Sequence, residues 1–140
     1  MAMMCSEDAK MRIRAAGLRL TPQRRAVIDA LCGDTTHPAA EDVASRVEST
    51  MPGVSLSTVY NTLHELAGIG LVREVDARGA MRFDPDTSPH AHLVCDGCGS
   101  LSDVPLSSPV LAQIAASVDG VAVSRVDVTI HCSCETCSAG

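Results

Sequence analysis

Apolar side chains recur at helical spacing through the first half of the chain, and a glycine or proline follows each apolar stripe. The pattern predicts four helices, at residues 7–16, 22–31, 40–50 and 57–67. Thr21 before Pro22 is a typical helix start, because proline suits the first helical turn. Ser57 is the expected N-cap of the fourth helix. The apolar face of that helix is predicted to comprise Val59, Leu63 and Leu66.

The spacing changes after the fourth helix, where two short runs, residues 71–75 and 80–83, flank a turn that ends at Gly79. Such a pair of runs predicts a β-hairpin. Residues 84–89 contain two prolines and otherwise only turn-forming residues, which predicts a linker. Beyond the linker, the pattern predicts the order strand, strand, helix, strand. These elements are expected at residues 92–95, 100–104, 109–119 and 126–130.

Short helices followed by a hairpin are typical of a winged-helix domain, in which the helix before the hairpin enters the DNA major groove. We therefore expect an α+β protein with a winged-helix DNA-binding domain at residues 1–83. A hinge at 84–89 and a small α/β dimerisation and metal-binding domain at 90–140 complete the prediction. The second domain has only about fifty residues, a size at which an apolar core alone gives little stability. The C-x-x-C pairs Cys95 with Cys98 and Cys134 with Cys137 are expected to add stability by holding a zinc ion, and an apolar strand edge suggests that dimerisation adds to it.

The exposed face of the fourth helix is predicted to contact DNA. Asn61 carries the amide that pairs bidentately with adenine, and Tyr60 offers a ring for a thymine methyl and a hydroxyl for phosphate. The predicted DNA-contacting residues are Arg19, Ser57, Thr58, Tyr60 and Asn61. The alternative is that these polar side chains only form the solvated face of a helix. The neighbouring hairpin and a basic segment favour DNA binding.

The net charge of −6 is unevenly divided along the chain. Residues 1–80 carry nine Lys and Arg against ten Asp and Glu, a balance of −1, whereas residues 81–140 carry two against seven, a balance of −5. Within the first half, the segment from residue 9 to residue 28 is basic and contains no acidic residue. Its members are Lys10, Arg12, Arg14, Arg19, Arg24 and Arg25. Such a cluster can neutralise DNA phosphates, although a solvated helix face has the same composition.

Tyr60 and Phe83 are the only aromatic residues, so the core must be built from aliphatic side chains. The first residues show no basic region followed by an apolar run, and no stretch approaches a membrane span. We therefore expect a cytoplasmic protein. In a reducing compartment the seven cysteines indicate thiols and metal ligation before disulfides. Of these, Cys5 is expected to be a terminal thiol and Cys32 a small core residue.

Two C-x-x-C pairs, Cys95 with Cys98 and Cys134 with Cys137, have the spacing of a closed tetrahedral zinc site. Two glycines in and after the first pair permit the left-handed or crowded backbone of a turn around a metal. The alternatives are buried apolar cysteines or two disulfides. Cys132 lies beside the second pair and could replace Cys134, but Cys134 completes the C-x-x-C spacing and is preferred.

His90 and His92 precede the first cysteine pair on a segment that is predicted to be extended. Side chains two residues apart on a strand point to the same face. Both imidazoles could therefore bind one second metal that the four thiolates do not contact.

Four segments together resemble the ferric uptake regulator family of metal-dependent repressors, and the resemblance covers nearly the whole chain. They are Arg19-Leu-Thr-Pro-Gln-Arg24, Ser57-Thr-Val-Tyr60, His90-x-His92-x-x-Cys95-x-x-Cys98-Gly99 and Cys134-x-x-Cys137. The resemblance implies a homodimer that carries two winged-helix domains on a central dimerisation domain and binds a palindromic operator in double-stranded DNA. It implies a regulator and not an enzyme.

The resemblance also implies a regulatory metal between the two domains. The positions that match its ligands are His37, Asp84, His90, His92 and Asp103. Nitrogen and oxygen ligands suit Fe(II) or Mn(II), whereas thiolates select zinc, so the two sites would sort their metals by ligand softness. A metal held by all five residues would clamp the winged helices at the separation of successive half-sites.

Aspartate stands at both carboxylate positions, whereas iron-sensing and zinc-sensing members of the family commonly have glutamate at one or more of them. The chain is thus most similar to the peroxide-responsive branch, which includes catalase regulators. That similarity implies that Fe(II) reacts with peroxide, that His37 and His90 are oxidised, and that the opened clamp allows expression of peroxide-defence genes such as catalase. Mn(II) would hold the clamp without this chemistry. The alternative is a repressor that senses Fe(II) or Zn(II) availability and does not respond to peroxide.

Two other classes of protein fit less well. A metallohydrolase can hold its catalytic metal with two histidines and two carboxylates. The short chain, a linker that leaves no formed cleft, and the lack of a general base outside the ligand set argue against that class. A zinc-ribbon interaction module that does not bind DNA would leave the basic segment and the hairpin unexplained.

Overall fold

The structure, a computed structural model, describes residues 6–139 and falls into two compact units that divide between Ser88 and Pro89. Four helices and a hairpin form the first unit, and a three-stranded sheet with two helices forms the second. The predicted α+β class is therefore confirmed. Among the helices of residues 6–139, none is long and apolar enough to cross a membrane.

The helices of the first unit are α1 Ser6–Ala15, α2 Pro22–Leu31, α3 Ala40–Thr50 and α4 Leu56–Gly68. Thr21 caps α2 as predicted, because its Oγ1 accepts a hydrogen bond from the backbone N–H of Arg24 at 3.2 Å. The predicted cap of α4 was wrong. Ser55 is the N-cap, since its Oγ accepts a hydrogen bond from the N–H of Thr58 at 3.1 Å. Ser57 lies inside the first helical turn.

Aliphatic side chains from all four helices and one aromatic ring form the core of the first unit. The largest buried side chains are Phe83, Ile13, Ile28, Leu31, Leu63, Leu66 and Leu71. The predicted apolar face of α4 is confirmed, since Val59, Leu63 and Leu66 are at most 1% exposed. Burial of each such side chain contributes roughly 1.5–3 kcal/mol, so α4 is held firmly against the other helices.

Strands β1 (Arg73–Ala77) and β2 (Ala80–Asp84) form an antiparallel hairpin, the wing. A two-residue loop joins them, with φ of 56° at Arg78 and 78° at Gly79. Positive φ at both central residues matches the type I′ turn, which suits the twist of a hairpin. The loop is therefore shorter than predicted, because β1 continues two residues beyond its expected end at residue 75.

The second unit comprises β3 His90–Cys95, β4 Leu101–Pro105, α5 Ser108–Ala116, β5 Thr129–Cys132 and α6 Glu135–Ala139. Strand β3 is central and pairs antiparallel with β4 and parallel with β5. The predicted order of strands and helix is present, and α6 was not predicted. Helix α5 ends earlier than expected, because the N–H of Ser117 bonds to the carbonyl of Ile114 and tightens the last turn.

Helix α5 and strand β5 leave apolar side chains exposed. None of the residues of α5, all of which the structure describes, is buried. Val110 is 41% exposed, Ile114 37% and Ile130 on β5 43%. Exposed apolar side chains are candidates for an interaction surface. The second unit therefore offers apolar side chains on α5 and β5 that its own residues do not cover.

Candidate metal centres and nucleic-acid surface

Four cysteines of the second unit bring their sulfur atoms together at one end of β3. They are Cys95, Cys98, Cys134 and Cys137, and their sulfur atoms all lie within 4.8 Å of one another. The sulfur atoms of Cys95 and Cys137 are 3.6 Å apart, and those of Cys98 and Cys134 are 3.8 Å apart. Zinc–sulfur bonds of about 2.3 Å in a tetrahedron place the sulfurs about 3.8 Å apart, so the cluster fits zinc.

The turn after Cys95 depends on two glycines, as the sequence indicated. Gly99 has φ of 78°, a left-handed conformation that favours glycine, and its N–H bonds to the carbonyl of Cys95 at 2.8 Å. Gly97 is needed for space, because a Cβ at this position would lie 2.7 Å from the sulfur of Cys137. Any side chain at residue 97 would therefore push the second cysteine pair away from the first.

Hydrogen bonds prepare part of the cluster for metal binding, because only the thiolate is a good ligand. The backbone N–H groups of Cys134 and Cys98 lower the pKa of Cys95 to about 6. The hydroxyl of Ser100, 3.4 Å from the sulfur of Cys98, lowers the pKa of that thiol. The neighbouring thiolates of Cys134 and Cys95 raise the pKa of Cys137 to about 12. A cation among the four sulfurs would displace that proton.

The remaining cysteines lie outside the cluster. Cys132 is opposite Cys95 in the parallel register of β3 and β5, and burial together with the nearby thiolates raises its pKa. Cys134 therefore contributes to the group of four and Cys132 does not. Cys32 is exposed, so its prediction as a core residue was wrong. It is the C-cap residue of α2 and does not pack in the core. Cys5 lies outside the described residues.

A second group of donors on the same sheet consists of His90, His92 and Asp103. The two imidazoles point to the same side of β3, and their Nε2 atoms are 3.1 Å apart. Asp103 lies opposite His92 on β4, and its Oδ1 is 3.5 Å from Nε2 of His90 and 3.7 Å from Nε2 of His92. Both histidines are buried, whereas the carboxylate side chain is 41% exposed. These three residues present two nitrogens and one oxygen to a common point.

The first unit contains a separate pair, His37 and Asp84. Nε2 of His37 is 3.4 Å from Oδ2 of Asp84, and both side chains are buried. His37 has φ of 54°, a conformation that costs energy for a residue with a Cβ and is concentrated at functional sites. The guanidinium of Arg82 on β2 donates to the carbonyl of His37 at 3.0 Å. The wing therefore holds this histidine close to the carboxylate.

The structure thus places each of the five predicted nitrogen and oxygen ligands in one of two donor sets. The donors within each set face one another at distances that a divalent cation could bridge. Imidazole nitrogen and carboxylate oxygen suit Fe(II) or Mn(II) better than the soft ions that thiolates prefer. The donor chemistry of the residues therefore fits the predicted regulatory metals.

The predicted DNA-contacting side chains of α4 differ in exposure. Ser57, Tyr60 and Asn61 are exposed, and Tyr60 is 45% exposed despite its large ring. Together with residues of α3 they line an open depression on the surface of the first unit. Thr58 is half-buried, and its hydroxyl bonds to Ser55 at 2.9 Å. Ser57, Tyr60 and Asn61 therefore present their side chains to solvent, whereas Thr58 does so only in part.

The basic segment is less available than the sequence suggested. Lys10 is buried, with its Nζ 3.3 Å from the carboxylate of Glu7. Arg24 forms an ion pair with Glu65 on α4 at 2.6 Å, which joins α2 to α4. Arg19 is exposed, as are Arg14 and Arg25. Exposed positive charge therefore comes from only part of the predicted basic cluster.

The sequence model of the ferric uptake regulator family matches residues 15–137, which is most of the chain. The chain belongs to the ferric uptake regulator family. It is 36% identical over 134 residues to the peroxide operon regulator of Bacillus subtilis strain 168, covering 94% of this chain and 92% of that relative. It is 33% identical over 126 residues to the peroxide-responsive repressor PerR of Staphylococcus aureus strain Mu50, covering 89% and 82%.

The fold is that of solved ferric uptake regulators. The ferric uptake regulator from Pseudomonas aeruginosa, solved with manganese, superposes with a TM-score of 0.76 at 23% identity, covering 91% of this chain and 98% of that chain. Regulators of this family are metal-dependent transcriptional regulators that bind operator DNA as dimers, and they are not enzymes. This member is accordingly a metal-binding, DNA-binding repressor, as the resemblance implied.

Proposed function

We propose that this ferric uptake regulator is a cytoplasmic, peroxide-responsive repressor. The observation that carries the proposal is the pair of donor sets, His37 with Asp84 and His90 with His92 and Asp103, in which the histidines are buried and both carboxylates are aspartates. Identity of 36% to a relative named as a peroxide operon regulator supports the same branch. The controlled genes would then be peroxide-defence genes such as catalase.

In this proposal the five residues bind one regulatory metal. His37 and Asp84 belong to the first unit, and the other three ligands belong to the second. Neither set alone supplies enough donors for the five-coordinate or six-coordinate geometry that Fe(II) and Mn(II) favour. Joint ligation would hold residues 1–83, as the DNA-binding domain, against residues 90–140, with 84–89 as the hinge. DNA would bind this clamped state better than the open state, so the metal would act as a co-repressor.

His37 and His90 are the residues that we propose to be oxidised. When bound, Fe(II) would supply the electrons that reduce peroxide beside its own ligands, whereas Mn(II) would fill the site without that chemistry. Both imidazoles are buried, so an oxidant generated beside them would meet these rings before bulk water. A ring that gains an oxygen atom is a poorer donor, so either modification would weaken the joint ligation and release DNA.

The four cysteines are proposed to hold a structural Zn(II). Their sulfur spacing fits a tetrahedron, and the second unit has few buried apolar side chains with which to stabilise itself. The exposed apolar face of α5 and β5 is proposed to be covered by the same face of a second copy, which gives a homodimer. Two copies of α4 would then read a palindrome through Tyr60 and Asn61, with Ser57, Thr58 and Arg19 contacting the DNA backbone.

The test is DNA binding by the zinc-loaded protein after anaerobic reconstitution with Fe(II) or Mn(II), using a duplex selected from a random library by the Mn(II) form. Substoichiometric peroxide is added, and peptide masses are measured on the same samples. We expect the Fe(II) form alone to release DNA, with an added oxygen on peptides that contain His37 or His90. Peptides that contain His64 and His131, which lie outside the donor sets, are internal controls.

Two results would contradict the proposal. If both forms stay bound with unmodified histidines, the protein senses metal availability. If release accompanies oxidation of cysteines alone, the response belongs to the thiol cluster. A His37→Ala variant that represses as well as the wild type would argue against joint ligation.

A further inference from the structure

The two aromatic residues of the chain contact each other within the first unit. The rings of Tyr60 on α4 and Phe83 on β2 have centroids 6.4 Å apart and an interplanar angle of 82°, an edge-to-face arrangement. Phe83 is fully buried, whereas Tyr60 is 45% exposed. Aromatic pairs prefer this geometry, because the positive edge of one ring meets the negative face of the other. One side of the Tyr60 ring is therefore fixed by Phe83 while the remainder faces solvent.

Phe83 is also connected to the donor pair of the first unit. It directly precedes Asp84 on β2, and its N–H donates to the carbonyl of Pro38 at 2.9 Å. Pro38 follows His37, whose own carbonyl accepts from Arg82 at 3.0 Å. The backbone N–H of Phe83 and the guanidinium of the preceding Arg82 thus both donate to the backbone of the segment that carries His37. A shift of β2 that moves the backbone of Asp84 relative to that of His37 therefore also displaces Phe83 or strains these bonds.

No other ring can substitute for Phe83 in this contact, since the chain has one phenylalanine, one tyrosine and no tryptophan. The aliphatic neighbours of the core lack the quadrupole that orients a second ring. Tyr60 is 45% exposed, and its edge-to-face pair with the buried Phe83 favours one orientation of the ring.

We propose that Phe83 is a positioning residue that orients Tyr60 for base recognition and couples that orientation to metal ligation by His37 and Asp84. The inference rests on the proposed function, because it assumes that α4 reads DNA and that the pair binds the regulatory metal. The proposed coupling between metal and DNA lies wholly within the first unit. Metal binding by His37 and Asp84 shifts β2, which carries Phe83, and Phe83 in turn sets the orientation of the Tyr60 ring.

The composition of the chain allows Tyr60 to be observed directly. Protein labelled with 3-fluorotyrosine has one labelled site, so its fluorine NMR spectrum reports Tyr60 alone. The zinc-loaded protein is titrated with further Zn(II), a diamagnetic probe that also accepts histidine and aspartate ligands. Calorimetry on the same samples measures whether the second metal binds. This readout requires neither DNA nor the peroxide chemistry.

We expect the Tyr60 resonance of the wild type to shift as the second metal binds. In Phe83→Leu the shift is expected to disappear while the metal still binds. Leu31→Val is the matched control, because Leu31 is equally buried but lies on α2, and this variant should keep the shift. If Phe83→Leu does not fold, Phe83→Met provides a longer aliphatic replacement. The proposal is overturned if either aliphatic variant shows the wild-type shift, or if the wild type binds metal without any shift.

A double-mutant cycle tests the consequence for DNA. Affinities for the selected operator and for a mixed-sequence duplex are compared among wild type, Phe83→Leu, Tyr60→Leu and the double variant, all loaded with Mn(II). We expect Phe83→Leu to lower the ratio of specific to non-specific affinity about tenfold, the scale of one base contact, and to have no further effect once Tyr60 is leucine. Equal losses on both duplexes, or additive losses in the cycle, would overturn the inference.

Different results would contradict the proposed function and the proposed role of Phe83. A wild-type protein that binds no DNA with either metal contradicts the proposed function, while the fluorine titration still decides the coupling between the donor pair and Tyr60. A wild type that binds DNA in a metal-dependent manner, together with an additive cycle, contradicts only the role of Phe83.

Discussion

The two units of this regulator have very different interiors. The first unit packs aliphatic side chains from four helices around Phe83, and its larger core residues are fully buried. Among the described residues of the second unit, the buried apolar side chains are Ala91, Val94 and Cys95. Small domains bury too little apolar surface to be stable unless a metal, disulfide or partner adds to it. The first unit can therefore rely on its own core, whereas we propose that the second depends on zinc and on a second copy.

Zinc removal should give the largest difference between the units. We expect chelation or Cys98→Ser to unfold the second unit, because apparent binding free energies of structural zinc are about 10–16 kcal/mol. Backbone NMR spectra should lose the dispersed resonances of β3, β4 and β5 and keep those of α2, α3 and α4. Cys132→Ser, which removes a thiol outside the cluster, is the control. Dispersed strand resonances in the zinc-free protein would show that the second core suffices.

The second-largest effect is expected when a core side chain of the first unit is truncated. Leu31→Ala is expected to lower the free energy of unfolding of the first unit by about 2–5 kcal/mol, because it leaves a cavity in a close-packed interior. Tyr60, the single tyrosine, reports this transition by fluorescence during denaturant titration. Leu111→Ala on α5 is the matched change in the second unit; it is followed by the backbone amide resonances of β3 and should cost less than half as much. Equal losses of unfolding free energy in the two variants would show that the interior of the first unit is no better packed than that of the second.

A charge on the exposed apolar face should affect assembly more than folding. Ile114→Asp is expected to weaken dimerisation about a hundredfold, the scale of an interface hot spot, because it would bury an unpaired carboxylate. Sedimentation of the zinc-loaded protein measures the monomer–dimer equilibrium. Gln113→Asp introduces the same charge at a neighbouring exposed position and should leave the dimer intact. A monomeric wild type, or equal dissociation of both variants, would rule out this face.

The smallest expected effect concerns the start of α4. Ser55→Ala should cost about 1 kcal/mol, because it removes the side-chain acceptor for the N–H of Thr58. Ser57→Ala should change stability by less than about 0.5 kcal/mol, since Ser57 does not cap the helix. Denaturant titration followed by Tyr60 fluorescence compares the two variants. A larger loss for Ser57 would mean that α4 begins later than the structure shows.

Local patterns predicted much of the fold because they depend on residues close together in sequence. Thr21 and Pro22 start α2 as expected, since a cap requires only its own first turn. The two serines before α4 show the limit of that argument. Ser55 and Ser57 are both good caps, and the choice between them depends on how α4 packs in the core, which the local sequence does not contain.

The candidate sites show the same limit at longer range. Spacing alone paired Cys95 with Cys98, and alternation alone placed His90 and His92 on one face of a strand. Their relation to distant residues needed the strand register, which puts Asp103 opposite His92 and Cys132 opposite Cys95. A register shifted by one residue would turn each of these side chains to the other face of the sheet.

The sequence by itself determined the α+β class, the order of most elements, the spacing within each cysteine pair and the family resemblance. Each of these depends on periodicities or motifs that are contained in short stretches of the chain. The tertiary structure alone decided that Lys10 is buried, that Cys132 lies opposite Cys95, and that Phe83 contacts Tyr60. Those contacts join residues that are distant in sequence. Packing of helices and pairing of strands set their distances, and no local pattern encodes them.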